Sequence, residues 1–373
     1  MLNTQNKNTW LYKAYTEFSM ALVNNANIKS YVEPLIQPLF PLWSANDYRA
    51  QVEQVRSESK NCYTLVLKPT KKWPGFQPGQ YVELQVVKNG AKVSRCFSIS
   101  SAPELYTQFG RIELTIRAQN KGRITPWLQQ ALNESSTVGL SAAQGDFIIK
   151  DRSRPILMIA GGSGITPFRS YLHSQAHTAL TQKASLLYYT RYQNEHLFKQ
   201  ELNRISDGNK NLNTHLISTA EMGHFSLKQM KQQCPDYLDY DIYICGPNSM
   251  IVEVNKLLLK AKVNEKNIYI ERFGPTPVDF SKLNKEFKKS GTVNFSQSRK
   301  SAKLGSNTNL LDLAENNGLQ PESGCRMGIC HKCSCRKKSG VVYNTLTDSY
   351  SDTGQEDIQL CISVPVGEVT IEL

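Results

Sequence analysis

The sequence predicts a multidomain protein in which an antiparallel β-barrel is followed by an α/β domain with a parallel sheet and by a smaller third domain. Three observations predict this architecture. The chain has 373 residues, more than one ordinary hydrophobic core accommodates. Short alternating segments fill residues 47–150, and strand–turn–helix units fill residues 151–274. The last segment, 291–373, holds four cysteines within eleven residues.

Residues 47–150 carry the pattern of an antiparallel barrel. Five segments alternate apolar and polar residues and are separated by turn sequences such as PGFQPG and KNG. These segments are YRAQVEQV, YTLVLKP, QYVELQVV, VSRCFSIS and RIELTIRA. Short strands at this spacing are typical of a barrel. One helix is expected in TPWLQQAL, with Thr125 as its N-cap and Pro126 at its first position.

Residues 151–274 repeat a strand, a turn and a helix. The apolar strand RPILMIA is followed by the turn GGSG and by the helix ITPFRSYLHSQA. Further strands, ASLLYYT, LNTHLIS and DYDIYICG, alternate with the helices NEHLFKQELNRI and NSMIVEVNKLLLKA. This alternation predicts a parallel sheet covered by helices on both faces. Ligands bind at the carboxyl ends of the strands of such sheets.

The remaining segments and the overall charge indicate where the protein works. Residues 1–46 form an aromatic and proline-rich leader that packs on the body of the chain or docks to a partner or a membrane, and residues 275–290 form a basic linker. The formal charge of +12 favours an acidic redox partner or an anionic membrane surface, and no nucleic-acid-binding motif accompanies it. There is no secretory signal and no long apolar run. We therefore expect a cytoplasmic protein, with peripheral contact at the inner membrane face as the alternative.

The cysteine cluster predicts an iron–sulfur centre. Cys325, Cys330 and Cys333 are spaced C-x4-C-x2-C, and Cys361 follows at a distance. This is the spacing of plant-type [2Fe–2S] sites. A structural zinc site is the alternative, but it usually needs two paired knuckles, and only one C-x2-C is present. Cys335 is expected to stay unliganded.

Four other motifs resemble those of the ferredoxin-reductase-like flavoproteins, in the order found in that family. VSRCFSISS resembles the R-x-Y-S signature, GGSGITP the nucleotide-phosphate loop, CGPNSM the nicotinamide-side motif and ERF the closing segment. The C-terminal region resembles plant-type ferredoxin, which implies an α+β (β-grasp) domain. Together the resemblance spans about residues 47–373. It implies an FAD-binding domain at 47–150, an NAD(P)-binding domain at 151–274 and a 2Fe–2S domain at 291–373.

The resemblance also implies how the flavin is held. Arg95 would bind a flavin phosphate, Phe97 would stack on the isoalloxazine, and Ser98 would hydrogen-bond near its N5. Phe97 departs from the tyrosine that is usual in the family, so one hydroxyl contact is lost. Gly122 and Thr125 match a second phosphate contact, which favours FAD over FMN.

The nicotinamide dinucleotide site is implied in the same way. The expected phosphate-binding residues are Gly161, Gly162, Gly164 and Thr166. The residues expected beside the nicotinamide are Cys245, Gly246 and Pro247. Glu271 and Phe273 would lie against the flavin, so Ser98, Cys245, Glu271 and Phe273 form the expected catalytic set. Arg191, directly after a strand, could bind a 2′-phosphate and so favours NADPH, although NADH remains the alternative.

The predicted function is an electron-transfer reductase that passes electrons from NAD(P)H through FAD and the [2Fe–2S] cluster to an external protein. The resemblance is strongest to reductases that serve membrane fatty-acyl desaturases or hydroxylases. The reductase of a soluble ring-hydroxylating or ketosteroid oxygenase is the alternative. The third alternative is a protein of a different functional class, a non-catalytic redox-sensing module. In the first two, the linker would let the cluster domain alternate between flavin and partner.

Overall fold

A computed structural model describes residues 32–33, 35–88, 91–119, 124–151, 153–176, 180–273, 291–303 and 308–373. The expected linker at 275–290, most of the leader and Gly122 lie outside the described residues. Within the described part, no helix is both long enough and apolar enough to cross a lipid bilayer.

The first domain is the expected antiparallel barrel. Its strands are β1 (Tyr48–Ser59), β2 (Cys62–Pro69), β3 (Tyr81–Lys88), β4 (Ala91–Ser98), β5 (Ile112–Arg117) and β6 (Thr137–Leu140). They pair in the order β4-β3-β6-β1-β2-β5, and a bridge between Ile99 and Leu114 brings the end of β4 back to β5. Alternate side chains such as Val52, Leu65 and Leu84 point inward and are fully buried, as expected from the period of two.

Two helices, α1 (Pro103–Phe109) and α2 (Thr125–Ala131), accompany the barrel. The N-cap prediction for α2 is wrong by one residue. Thr125 is already the first helical residue, Ile124 holds the cap position, and no side chain caps the helix. The Thr125 hydroxyl instead accepts a hydrogen bond from the backbone N–H of Gln119, which competes with capping.

The second domain is the expected parallel sheet. Its strands are β7 (Ile156–Gly161), β8 (Ala184–Thr190), β9 (Leu212–Ser218), β10 (Asp241–Gly246) and β11 (Ile268–Arg272). Its helices are α3 (Thr166–Ala176), α4 (Lys199–Asp207), α5 (Thr219–Met222), α6 (Leu227–Gln233) and α7 (Asn248–Lys260). The strand order is β11-β10-β7-β8-β9, so the carboxyl ends of β7 and β10 lie side by side. A buried apolar cluster covers each face of the sheet.

The third domain is a small mixed sheet with one helix, as the α+β expectation requires. Its strands are β12 (Thr292–Phe295), β13 (Lys300–Lys303), β14 (Ser334–Asn344), β15 (Ser349–Tyr350), β16 (Glu356–Gln359) and β17 (Ser363–Ile371). The helix is α8 (Leu310–Asn316), whose leucines pack into the core of the sheet. The order is β13-β12-β17-β14-β15, with β16 also paired to β14 and β12 parallel to β17. The cysteine-bearing loop lies between α8 and β14.

Candidate cofactor sites

The four predicted ligand cysteines come together as two pairs. The backbone N–H of Cys330 donates to the Cys325 sulfur at 3.3 Å, and the N–H of Cys325 donates to the Cys330 sulfur at 3.2 Å. The thiols of Cys333 and Cys361 are hydrogen-bonded to each other. Two neighbouring pairs of thiols match the demand of two irons that each take two protein sulfurs. Within the described residues, no three His, Cys, Asp or Glu side chains converge as they would on one metal ion.

The loop around Cys325 favours the thiolate that a metal requires. The Cys330 thiol and the backbone N–H groups of Met327, Cys330 and Ile329 all point at its sulfur and lower the pKa of Cys325. Only glycine fits two positions in this loop. A Cβ on Gly324 would lie 2.5 Å from the Cys330 sulfur, and one on Gly328, which has φ +78°, would lie 2.8 Å from Ile362. The donor set and the tight loop therefore fit a [2Fe–2S] cluster.

The other cysteines lie elsewhere. The Cys335 sulfur faces the backbone carbonyl of Glu372 at 3.3 Å. Cys62 and Cys234 are buried in apolar clusters. Cys96 is half-buried near Cys325, where the third domain meets the barrel. Burial raises the pKa of Cys96 to about 12.

The residues expected to hold the flavin lie along β4. Ser98 is buried, and its hydroxyl has no hydrogen-bond partner within the described residues. Because a buried hydroxyl without a partner costs free energy, this group fits a bound ligand with a hydrogen-bonding edge. Phe97 is half-buried and packs against the barrel core. Thr125 starts the short helix α2, where its carbonyl accepts from the Tyr63 hydroxyl.

Arg95 lies where the barrel meets the cysteine loop. It donates to the backbone carbonyls of Ser94 at 2.7 Å and Gly324 at 3.3 Å. Burial, together with the nearby guanidinium of Arg326, lowers the pKa of Arg95 to about 10. Asp312 and Glu315 already pair with Arg326, whereas Arg95 donates to backbone carbonyls, so a flavin phosphate would suit the Arg95 guanidinium.

The nucleotide loop follows β7, and its glycines are required by close backbone approach. A Cβ on Gly164 would lie 2.2 Å from the Cys245 carbonyl oxygen, and one on Gly246 would lie 3.0 Å from the Gly161 nitrogen. The ends of β7 and β10 are thus in direct contact. Thr166 is buried, and its hydroxyl donates to the carbonyl of Ser163 at 3.0 Å.

A cleft of about 670 Å³ opens beside this loop. Four of the expected nucleotide-binding residues line it, namely Gly161, Gly162, Arg191 and Pro247. The other expected residues do not line the cleft and lie behind its wall, namely Gly164, Thr166, Cys245 and Gly246. Cys245 has no exposed surface, and burial raises its pKa well above the ordinary value. Its predicted place beside the nicotinamide therefore stays a prediction.

Two basic residues in the cleft lie outside the motifs that identified it. Arg117 and Lys60 come from the barrel domain and line the same cleft as the nucleotide loop. A Cβ on Gly162 would lie only 2.9 Å from the Arg117 guanidinium. A cation at this distance from a glycine loop suits the diphosphate of a dinucleotide. In the sequence, the only indication of this role for Arg117 is that it is a basic residue at the end of a strand.

Arg191 is exposed at the rim of the cleft, where its guanidinium lies 5.3 Å from the centre of the Tyr192 ring. This stacking holds the charge near the place expected for the adenosine ribose. Glu195 lines the cleft as well. The 2′-phosphate role of Arg191 stays a prediction.

Glu271 and Phe273 lie on and just after β11. Glu271 is paired in register with Cys245, and burial raises its pKa to about 7. Its charge acts on Tyr81 and Cys96 of the barrel, and burial with these neighbouring charges raises the pKa of Tyr81. Phe273 packs against the apolar cluster of the second domain. Glu271, Tyr81, Cys96 and Cys325 therefore meet at one junction of the three domains, which the sequence motifs did not reveal.

The cysteine loop is attached to the barrel by a few polar contacts. The Lys332 ammonium pairs with Glu83 on β3 at 2.8 Å. The Ser94 hydroxyl donates to the carbonyl of Ser323 at 3.4 Å. These contacts place the ligand cysteines next to the strand that carries Arg95, Phe97 and Ser98.

Three family models match the chain, one to each domain. Residues 49–149 match the oxidoreductase FAD-binding domain, residues 158–256 the oxidoreductase NAD-binding domain, and residues 294–366 the 2Fe–2S iron–sulfur cluster binding domain. The predicted cofactors and the three-domain architecture are confirmed.

Known proteins share this architecture. The chain is 28% identical to an NADPH oxidoreductase of Mycobacterium tuberculosis, over 89% of this chain and 86% of that protein. It is 26% identical to the glycine betaine monooxygenase reductase subunit of Chromohalobacter salexigens, over 80% and 87% of the two chains. The solved structure of phthalate dioxygenase reductase matches with a TM-score of 0.59, at 21% identity, over 87% and 97%, and so shares the fold. The chain is therefore an NAD(P)H-dependent oxidoreductase that combines an FAD-binding domain, an NAD-binding domain and a C-terminal 2Fe–2S cluster binding domain.

Proposed function

We propose that this three-domain oxidoreductase is the reductase component of an iron-containing oxygenase system, and that a separate protein receives its electrons from the cluster. The observation that carries the proposal is the placement of the cysteine loop against β3 and β4, where Lys332 pairs with Glu83 and Arg95 donates to Gly324. A flavin held on β4 would therefore lie beside the cluster, as sequential electron transfer within one chain requires. When bound, the nicotinamide supplies a hydride, the flavin exchanges electron pairs for single electrons, and the cluster carries single electrons.

The residues of the chain bind and orient these groups. Cys325, Cys330, Cys333 and Cys361 would hold the cluster, and Arg95 with Ser98 would orient the flavin. Gly161, Gly162 and Arg117 would hold the dinucleotide diphosphate. Glu271, whose pKa is raised to about 7 by burial, would hold a proton near the flavin edge at neutral pH. The assignment is supported by the Ser98 hydroxyl, which has no hydrogen-bond partner among the described residues, and by the hydrogen bonds between Cys325 and Cys330.

The positions of the strands support the domain limits that we propose. We assign residues 47–150 to the FAD domain, 151–274 to the NAD(P) domain and 291–373 to the 2Fe–2S domain. The barrel spans β1 to β6, the parallel sheet spans β7 to β11, and the mixed sheet spans β12 to β17. Each of the three matched segments falls inside one of these ranges. The leader at 1–46 and the linker at 275–290 remain predictions.

For the electron acceptor, the relatives favour a soluble oxygenase. A relative that aligns over 80% of this chain is the reductase subunit of glycine betaine monooxygenase. A membrane desaturase or hydroxylase, the first expectation from the sequence, is the second candidate. It is favoured by the exposed apolar side chains of Leu35, Leu39 and Phe40 in the leader. Flotation of the purified protein with anionic vesicles distinguishes the two, because only a membrane-docked reductase should rise with the lipid.

Removal of one ligand cysteine tests the serial path. We expect Cys330→Ser to reduce the rate of cytochrome c reduction more than 100-fold, on the order expected when an obligatory electron carrier is lost. Anaerobic bleaching of the flavin by NADPH should continue. Cys335→Ser is the matched control and should keep both reactions. Loss of flavin bleaching in Cys330→Ser would contradict the serial order of the carriers. If NADPH reduces the wild-type cluster only over hours, the protein is instead a redox-sensing module.

The coenzyme preference rests on Arg191. NADPH is supported by the exposed guanidinium in the cleft and by the relative described as an NADPH oxidoreductase. We expect Arg191→Ala to raise KM for NADPH about tenfold or more and to leave KM for NADH nearly unchanged, because only NADPH carries the 2′-phosphate. Equal losses for both coenzymes would reject this role.

A further inference from the structure

The cysteine loop has two ends with different surroundings. At one end, Gly324 touches the barrel, because a Cβ there would lie 2.9 Å from the Glu83 carboxylate. At the other end, Gly328 is surrounded by its own domain. A Cβ on Gly328 would meet Ile362 at 2.8 Å and Leu346 at 3.3 Å, and the Gly328 carbonyl accepts from the Gln359 amide at 3.0 Å.

An exposed apolar patch lies at this second end. Ile329 is 50% exposed and Leu346 is 52% exposed, although both are large aliphatic residues. Leu346 belongs to the turn between β14 and β15 and reaches Gly328 of the cysteine loop. Ile329 donates its backbone N–H to the Cys325 sulfur at 3.4 Å. The patch of Ile329 and Leu346 is therefore built directly onto the loop that holds three of the expected iron ligands.

The charge of the third domain differs from that of the rest of the chain. Residues 291–373 contain eight Lys and Arg against nine Asp and Glu, whereas residues 1–290 contain thirty-six against twenty-three. The basic excess of the protein thus lies outside the third domain. Asp348 and Asp352, on the same hairpin as Leu346, are exposed. A [2Fe–2S] cluster with four thiolates adds further negative charge.

We propose that the patch of Ile329 and Leu346 is the docking surface for the electron-accepting protein, and that this protein binds while the cysteine loop stays on the barrel. The inference rests on the proposed function and deepens it by naming the partner surface. The partner would present an apolar centre with a basic rim, because such a surface complements both the aliphatic side chains and the acidic hairpin. One end of the loop would then face the electron donor and the other end the acceptor. The third domain would not need to leave the barrel in each cycle, in contrast to the alternation expected from the linker.

The test uses the full-length holoprotein with cytochrome c, a basic protein, as the acceptor. We expect Ile329→Lys and Leu346→Lys to lower kcat/KM for cytochrome c on the order of tenfold, because each places a positive charge in the apolar centre facing a basic partner. Ile329→Glu should lower it less than Ile329→Lys does. Calorimetry with cytochrome c that is already reduced measures binding without turnover. The affinity should fall more in Ile329→Lys than in Ile329→Glu. Leu238→Lys, at a half-exposed leucine of the second domain, is the matched control and should change neither value.

Anaerobic reduction of the cluster by NADPH separates the possible failures. It should stay unchanged in the Ile329, Leu346 and Leu238 variants, and iron and sulfide contents verify that the cluster is assembled. If cluster reduction persists and both lysine variants keep wild-type kcat/KM and binding, the docking surface is overturned while the proposed function stands. A rise in cytochrome c reduction when the Lys332–Glu83 pair is broken would also overturn it, because the acceptor would then use the end facing the barrel. If NADPH fails to reduce the wild-type cluster, the proposed function falls, and the inference falls with it.

Discussion

The barrel contacts its two neighbouring domains in different ways. Toward the second domain it presents Glu113, which pairs with Arg169 at 2.6 Å. Arg169 also binds Glu201 at 2.6 Å and the Ser100 carbonyl at 3.1 Å, and its side chain is only 8% exposed. Toward the third domain the barrel presents Glu83, whose partner Lys332 is 27% exposed.

This difference indicates different mechanical roles. Burial alone would lower the pKa of Arg169, but hydrogen bonds and charges from Glu201 and Glu113 outweigh it and raise the pKa. A buried guanidinium with this many partners holds two domains in one geometry, as hydride transfer between two bound cofactors requires. A single lysine pair with some water access is weaker and more easily separated. We infer that the first interface is permanent and that the second is strong enough to position the cluster loop but remains separable.

The largest expected effect comes from Arg169→Met. It should lower the free energy of unfolding by about 3–5 kcal/mol, because it leaves two carboxylates at the interface without their buried cation. Denaturant unfolding measures the change. Arg56→Met is the control: Arg56 also pairs with Glu113 but is 38% exposed, so its loss should cost less than about 1 kcal/mol. If both variants lower the free energy of unfolding by the same amount, the buried pair at this interface is no stronger than the exposed one.

A pH dependence should come from Glu271, at the junction of the three domains. Its pKa in the folded protein is raised from the model-compound value of 4.5 to about 7 by burial. Below about pH 4.5 Glu271 is protonated in both the folded and the unfolded protein, so its full contribution to the free energy of unfolding is present. As the pH rises toward 7, the unfolded chain loses the proton first, so stability falls by up to about 3 kcal/mol. Glu271→Gln should remove this slope in unfolding experiments between pH 4.5 and 7, and an unchanged slope would mean that another group causes it.

The smallest effect is expected at the separable interface. Lys332→Glu should slow anaerobic reduction of the cluster by NADPH about tenfold, equivalent to about 1.4 kcal/mol, because two carboxylates then face each other. The double exchange Lys332→Glu with Glu83→Lys should restore most of the rate. Stopped-flow absorbance measures the rate, and flavin reduction by NADPH should be unchanged in every variant. If the exchange restores nothing, the pair does not determine how the two domains dock.

The domain order and most of the site chemistry could be predicted from the sequence because the signals are local. The C-x4-C-x2-C spacing constrains one tight loop, and in that loop the backbone N–H groups of Cys325 and Cys330 do donate to each other's sulfurs. The period of two in the barrel strands and the repeated strand–turn–helix units depend on near neighbours, and both patterns formed the expected sheets. The N-cap of α2 was wrong by one residue because a backbone N–H six residues away competes for the Thr125 hydroxyl.

Contacts between residues that are far apart in the chain could not be predicted from such local signals. Ser98 and Arg95 were expected at the flavin from their motif, but no motif predicts that Glu271 approaches Tyr81 or that Arg117 reaches Gly162. Cys245 ends the expected strand, yet the close packing of β7 on β10 hides it behind the cleft lining.

By itself, the sequence determined the three sheets, their order and the cysteine loop, because hydrophobic periodicity and residue spacing act over a few neighbouring positions. Only the tertiary structure decided which domain surfaces meet, since residues more than two hundred positions apart, such as Glu83 and Lys332, are paired only after the separate domains have packed. The same packing leaves Ile329 and Leu346 exposed beside the cysteine loop.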